Sequence, residues 1–228
     1  MKSLGAAVLL VLTVAPAQAQ TTATPPSDAR AQAMYEFMMA RRLESTGDGP
    51  GALAALERAR KLDPQSAEIS AEIAGYYFRN DRAAEAVRNA EQALQLDKAN
   101  VEAHHTLGSI YSAWAEGGGP PPAGQTAAST RDAAIEHLSA IQGTPLMATN
   151  PNLQMTLGRL QLRAGKAAAA IPILEKVAQQ APWSPQPLLL LHEAQISEGR
   201  LDDAERSLAQ AAEIDPRYFS SLGQFFER

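Results

Sequence analysis

The chain has 228 residues, of which 45% are hydrophobic and 20% charged, and its formal charge is −5. With no lysine- or arginine-rich block, that acidic balance argues against nucleic acid as a ligand. The sequence contains no cysteine, which excludes disulfides, thiol nucleophiles and a cysteine-borne lipid anchor. Aromatic residues are only 5% of the chain while alanine is abundant, a bias toward closely approaching helices rather than a sheet.

Residues 1–19 read as a secretory signal peptide. A short positive start, Met1-Lys2-Ser3, precedes the apolar run "LGAAVLLVLTV" at residues 4–14, and Ala17-Gln18-Ala19 offers a small-x-small cleavage site after Ala19. Eleven apolar residues rise only ~16 Å as a helix, about half of a bilayer core. The expectation is therefore a cleaved leader and a periplasmic or secreted bacterial protein with no integral membrane span after cleavage. Residues 20–27 read as a linker, with Ser27 or Asp28 placed to cap the first helix.

From there the chain repeats at intervals near 34 residues. One column reads Ala52, Ala86, Ala134, Ala170, Ala204; four residues on stand Leu56, Ala90, Leu138, Leu174, Leu208; three further, Ala59, Ala93, Ile141, Val177, Ala211. An earlier column reads Ala40, Ala74, Gly108, Gly158, His192. A turn column holds Gly47, Asp81, Gly165 and Gly199, and a closing column Pro64, Lys98, Pro182 and Pro216. Apolar positions at three- and four-residue spacing around a Gly or Asp turn predict two helices per unit. Small residues recur where the backbones cross, and one pair cannot bury its own apolar face without a neighbour.

These columns resemble the tetratricopeptide repeat, a helix–turn–helix unit. The resemblance implies an all-α, right-handed solenoid of about five repeats, near 33–66, 67–100, 101–148, 151–184 and 185–218, within a repeat domain at 28–217. The third unit is stretched by "EGGGPPPAGQTAAST", residues 116–130, predicted to be a loop. The "QGTPLMATNP" stretch reads as a slightly lengthened connection, and Pro172 is expected to kink a second helix or delay its start. Residues 219–228 read as a terminal helix or the start of a sixth repeat; Phe219, Leu222, Phe225 and Phe226 offer more apolar surface than one neighbour buries, so the expectation is either packing against another molecule, self-association included, or continuation into a longer repeat protein.

No catalytic constellation emerges. His104 and His105 are adjacent and point about 100° apart on a helix, while His137 and His192 have only apolar residues four positions away. No pair has zinc-ligand spacing along a helix and "GGGPPPAG" lacks the strand and Lys-Ser/Thr of a phosphate loop. The chain is thus expected to be neither an enzyme nor the carrier of a cofactor or metal.

In the family that the chain resembles, the first helix of each unit lines a concave groove. Carried over unit by unit, the groove-facing set comprises Phe37, Arg41 and Glu44; Phe78 and Arg79; His105 and Ser109; Met155, Arg159, Leu162 and Arg163; and Leu189, Glu193 and Ile196. Four arginines then face two glutamates, and arginine can hold a carboxylate in a two-pronged grip. The resemblance implies a protein-binding module holding an acidic and apolar partner segment. The family's Lys/Asn/Arg clamp for a terminal carboxylate is absent apart from Asn152. The alternative is a scaffold component of an envelope secretion or polysaccharide-export assembly.

Overall fold

The computed structural model describes residues 27–119 and 123–219, and within them every regular element is helical. The leader expected at 1–19, all but the last residue of the linker, residues 120–122 of the insertion and residues 220–228 lie outside the described residues. Five helix pairs follow in chain order. They are α1 (Ser27–Ser45) with α2 (Gly49–Leu62), α3 (Ala67–Arg79) with α4 (Ala83–Leu96), and α5 (Val101–Ala115) with α6 (Ala127–Ala140). A single turn, α7 (Pro145–Ala148), then leads to α8 (Pro151–Arg163) with α9 (Ala167–Gln180) and α10 (Gln186–Ser197) with α11 (Leu201–Ile214). A 3-10 turn at Pro216–Tyr218 closes the described chain.

The repeat columns are the core. Ala52, Ala86, Ala134, Ala170 and Ala204 are all at most 1% exposed, as buried as the large Leu138, Leu174, Ile141 and Val177 that line the same seam. Each fully buried leucine or isoleucine contributes about 1.5–3 kcal/mol, so a stack of such seams carries the stability. In two units a glycine allows the crossing. A Cβ on Gly108 would lie 2.6 Å from Leu138 Cδ2, and one on Gly158 2.8 Å from Leu174 Cδ2.

Turns and caps follow local chemistry. The four residues of the turn column all adopt positive φ: Gly47 84°, Asp81 57°, Gly165 71° and Gly199 72°. This left-handed conformation ends each first helix at little cost for glycine, and aspartate is among the few other residues that tolerate it. At the opposite boundaries, Ser66, Asn100 and Asn150 accept the backbone N–H of Ile69, Ala103 and Leu153 and so cap α3, α5 and α8. The second helices α4, α9 and α11 lack such caps and begin after Arg82, Lys166 and Arg200. A cation is unfavourable there, and Glu85 and Asp203 offset it by pairing with Arg82 and Arg200. For α9 the group comes from another unit: Glu198 accepts the Ala168 N–H at 3.1 Å.

Some boundaries differ from the sequence reading. α1 begins at Ser27, ahead of position 33 where the register places the first unit. Residues 127–130, expected in the insertion loop, belong to α6, because Thr126 and Ser129 form a reciprocal capping box. The connection after α6 contains α7, started by Thr144 and Pro145. Its last carbonyls are met by Gln154 and Gln180, whose amides donate to Met147 O and Ala148 O. Pro172 lies inside α9 without delaying its start. Gln195, which stands where earlier units have Leu43, Tyr77 and Tyr111, is accommodated by a buried 2.7 Å bond from the Ser207 hydroxyl.

Candidate partner-binding face of the first helices

The sequence assigned partner contacts to α1, α3, α5, α8 and α10. Of their apolar members, Ile196 is exposed, while Phe37, Phe78, Met155, Leu162 and Leu189 are half-buried. Phe37 rests on the α1–α2–α3 core, and Met155 and Leu162 rest on the core shared by α9 and α10. These side chains therefore divide their surface between neighbouring helices and the outside. Phe37 also lines a cleft of about 470 Å³ between α1 and the start of α3, with Met34, Ile69 and the Arg30–Asp63 pair around it. Beside it, Met34, Tyr35 and Met38 are each about 60% exposed. The sequence reading omitted this patch, although "AMYEFMMA" on one helix is its signal.

The arginines are not free. Arg41 lies 3.7 Å from Glu72, with its guanidinium 6.0 Å from the Phe37 ring centroid. Arg79 reaches Glu44 at 2.7 Å and Glu72 at 3.2 Å, joining α3 back to α1. On α8, Arg159 Nε stands 2.9 Å from Glu116 Oε1 and Arg163 4.0 Å from the same oxygen. The Arg159 N–H is not aimed along that short contact, so the attraction is coulombic rather than a directed hydrogen bond. Glu116 belongs to the end of α5, so this pairing bridges the third and fourth units.

The count of four arginines against two glutamates is thereby corrected. Glu72, Glu102 and Glu116 share the surface, and the face is close to neutral. Gly75 makes part of this possible, since a Cβ there would meet Arg79 Nη1 at 2.9 Å and Glu102 Oε1 at 3.6 Å. His105 lies beside Glu102, 3.7 Å from Nδ1 to the carboxylate. The neighbouring His105 foremost, with the charges of Arg79 and Arg41, holds the Glu102 carboxyl below its ordinary range against an opposing burial effect. A chain of opposite charges thus runs from α1 across α3 to α5. Surface pairs of this kind are each worth only about 0–1 kcal/mol, so they set geometry and specificity more than stability.

One spatial pairing was invisible along the chain. His104 of α5 and His137 of α6, 33 positions apart, meet through their Nδ1 atoms at 3.0 Å. Spacing within a single helix could not reveal a contact made across a hairpin.

With this geometry in view, two stretches of the chain match family profiles described as tetratricopeptide repeat, at residues 37–104 and 161–222. The chain carries tetratricopeptide repeats, and its fold is the solenoid that such repeats build. Solved structures agree on the fold. The chain resembles YrrB, described as a TPR protein with an unusual peptide-binding site, at a TM-score of 0.62 and 18% identity, covering 84% of this chain and 91% of that one. It resembles MamA at 0.58 and 19% identity, covering 83% and 94%. PilF of Pseudomonas aeruginosa gives 0.55 and 18%, covering 88% and 87%. No curated protein matches the chain in sequence. Among the described residues, no helix is long and apolar enough to cross a membrane.

Proposed function

We propose that the protein is an exported, non-catalytic binding module that holds a partner segment along the face of its first helices. Tetratricopeptide folds commonly serve protein–protein interaction, and this chain offers half-buried apolar side chains beside paired arginines on that face. The observation that carries the reading is the Glu116 pairing. Two arginines one helical turn apart, Arg159 and Arg163, converge on one carboxylate oxygen, with Met155 and Leu162 alongside. A partner carboxylate would take the place of Glu116, which keeps the cations ordered until then. The partner expected is an acidic and apolar segment, and Phe37 with its cleft would take an apolar side chain at the other end of the face.

Export rests on residues 1–19 as a leader cut after Ala19, and the mass of the protein recovered from its native host tests it. For the binding role, in vivo photo-cross-linking from α8 in that host should trap one partner reproducibly. Arg159→Glu with Arg163→Glu should abolish the adduct while leaving the helical circular dichroism unchanged. An adduct formed equally well by the charge-reversed protein would remove this face from the account.

A further inference from the structure

The α5–α6 hairpin contains two imidazoles in direct contact. Close crossing at Gly108 and Leu138 brings the helices together, and His104, one turn before Gly108, faces His137, the neighbour of Leu138, with the two Nδ1 atoms 3.0 Å apart. His104 is held from behind, because its Nε2 lies 3.0 Å from the carbonyl oxygen of Lys98. His137 is clamped on its flat side, stacked on Tyr111 with ring centroids 5.8 Å apart and planes 14° apart. Both histidines are half-buried.

Tautomers follow from these partners. A carbonyl oxygen only accepts, so His104 Nε2 carries the hydrogen and its Nδ1 presents a lone pair. The 3.0 Å contact then requires His137 to donate from Nδ1, leaving its Nε2 as the acceptor. A first added proton goes to His137 Nε2 and keeps the Nδ1–H···Nδ1 bond. A second has only His104 Nδ1 to go to. There it sets N–H against N–H and one positive charge against another, and the contact must open. At 3.0 Å the two nitrogens are spaced to share one proton, and no third His, Cys, Asp or Glu joins them in a metal-holding group among the described residues.

We propose that His104 and His137 form an acid-labile clasp that closes the open end of the α5–α6 hairpin and releases it when both rings are protonated. The surroundings do little to quench the charge. On α6 itself Glu136 favours protonation of His137, and from α4 Glu91 acts on Tyr111 rather than on the pair. From the α4–α5 connection Lys98 offers its carbonyl. The charges of α3 and α8 are engaged elsewhere, Glu72 with Arg79 and Arg159 and Arg163 with Glu116, and α7 carries no charged residue. Burial foremost, and then the neighbouring His104, push the His137 pKa below the ordinary 6.5.

The sign follows. A histidine harder to protonate when folded contributes its full stability above 6.5, and acid erodes that contribution as the unfolded chain takes up the proton first. For each pH unit by which the closed contact displaces the second protonation, the opening equilibrium of the hairpin should rise about tenfold on acidification through that step.

The test is nitrogen NMR of the full protein's imidazoles from pH 8 to 4.5, with hydrogen exchange of α5 and α6 followed in parallel. We expect the His104 Nε2–H and His137 Nδ1–H tautomers at high pH, two separate titration steps, and faster exchange across the second step. His137→Asn, whose amide can donate but cannot be protonated, should retain the folded hairpin at pH 7.5 and lose the acid-induced opening. Independent titration of both rings at the ordinary value would overturn the clasp, as would equal acid sensitivity in His137→Asn. If that variant does not fold, the tautomers and titration steps of the unsubstituted protein decide the matter alone.

Discussion

Gly108 and Leu138 approach so closely that a single added methyl on Gly108 would stand 2.6 Å from Leu138 Cδ2 and 2.8 Å from its Cγ. The contact fixes how α5 crosses α6, and it recurs in the next unit between Gly158 and Leu174. Alanine at either glycine gains about 1 kcal/mol of helix propensity but overpacks the crossing by about 1–3 kcal/mol. Gly108→Ala and Gly158→Ala should therefore each destabilise the protein by about 1 kcal/mol. Gly75→Ala should behave oppositely, because its nearest neighbour is the movable tip of Arg79. Denaturant midpoints at unchanged slope check both signs.

The turn column gives a second pair of opposed outcomes. Gly165 and Gly199 have φ of 71° and 72° with open space around a hypothetical Cβ. Alanine there meets only backbone strain, so Gly165→Ala and Gly199→Ala should each cost about 1–2 kcal/mol. Asp81, at φ 57°, already bears some of that strain, and Asp81→Gly should leave stability unchanged or raise it slightly. Thermal unfolding ranks the three.

Glu116 holds Arg159 and Arg163 on a partly exposed surface. Glu116→Gln should shift stability by less than about 1 kcal/mol, as expected for a surface pair. It should also strengthen capture of an acidic peptide, since the arginines no longer need to exchange partners. Titration calorimetry with a short Glu/Leu peptide measures this, and weaker capture by Glu116→Gln would count against displacement.

Acid should act on the same face. The Glu102 carboxyl is held below its ordinary 4.5 when folded, chiefly by His105. Its contribution is therefore present above 4.5 and is lost as pH falls toward and through the depressed value. Glu102→Gln should flatten the stability profile below about pH 4.5 without altering the histidine-dependent slope nearer neutrality. Unfolding midpoints collected from pH 7 to 3 separate the two.

Much of the scaffold was legible in the sequence. The alanine columns mark the buried seams, and the Gly47, Asp81, Gly165 and Gly199 column marks the left-handed turns, because both obey short-range rules of backbone geometry. Legibility ended where a boundary depended on a local competition. Thr126 with Ser129 pulls residues 127–130 into α6, and Thr144 with Pro145 nucleates α7 inside an expected connection. The first-helix positions could be named from the sequence, but the carboxylates that pair with their arginines could not. Counted over first-helix groove positions alone, the arginines outnumber the glutamates four to two, whereas Glu72 also lies between Arg41 and Arg79.

The sequence by itself determined the helix pairs, their turns and the small residues at their crossings, since each depends on neighbours within about one repeat. Only the tertiary structure decided that Glu116 would join the third unit to the arginines of the fourth, and that His104 would face His137. Both contacts depend on the angle and offset at which helices cross. Those are set by the summed packing of many side chains, and no single spacing along the chain encodes them.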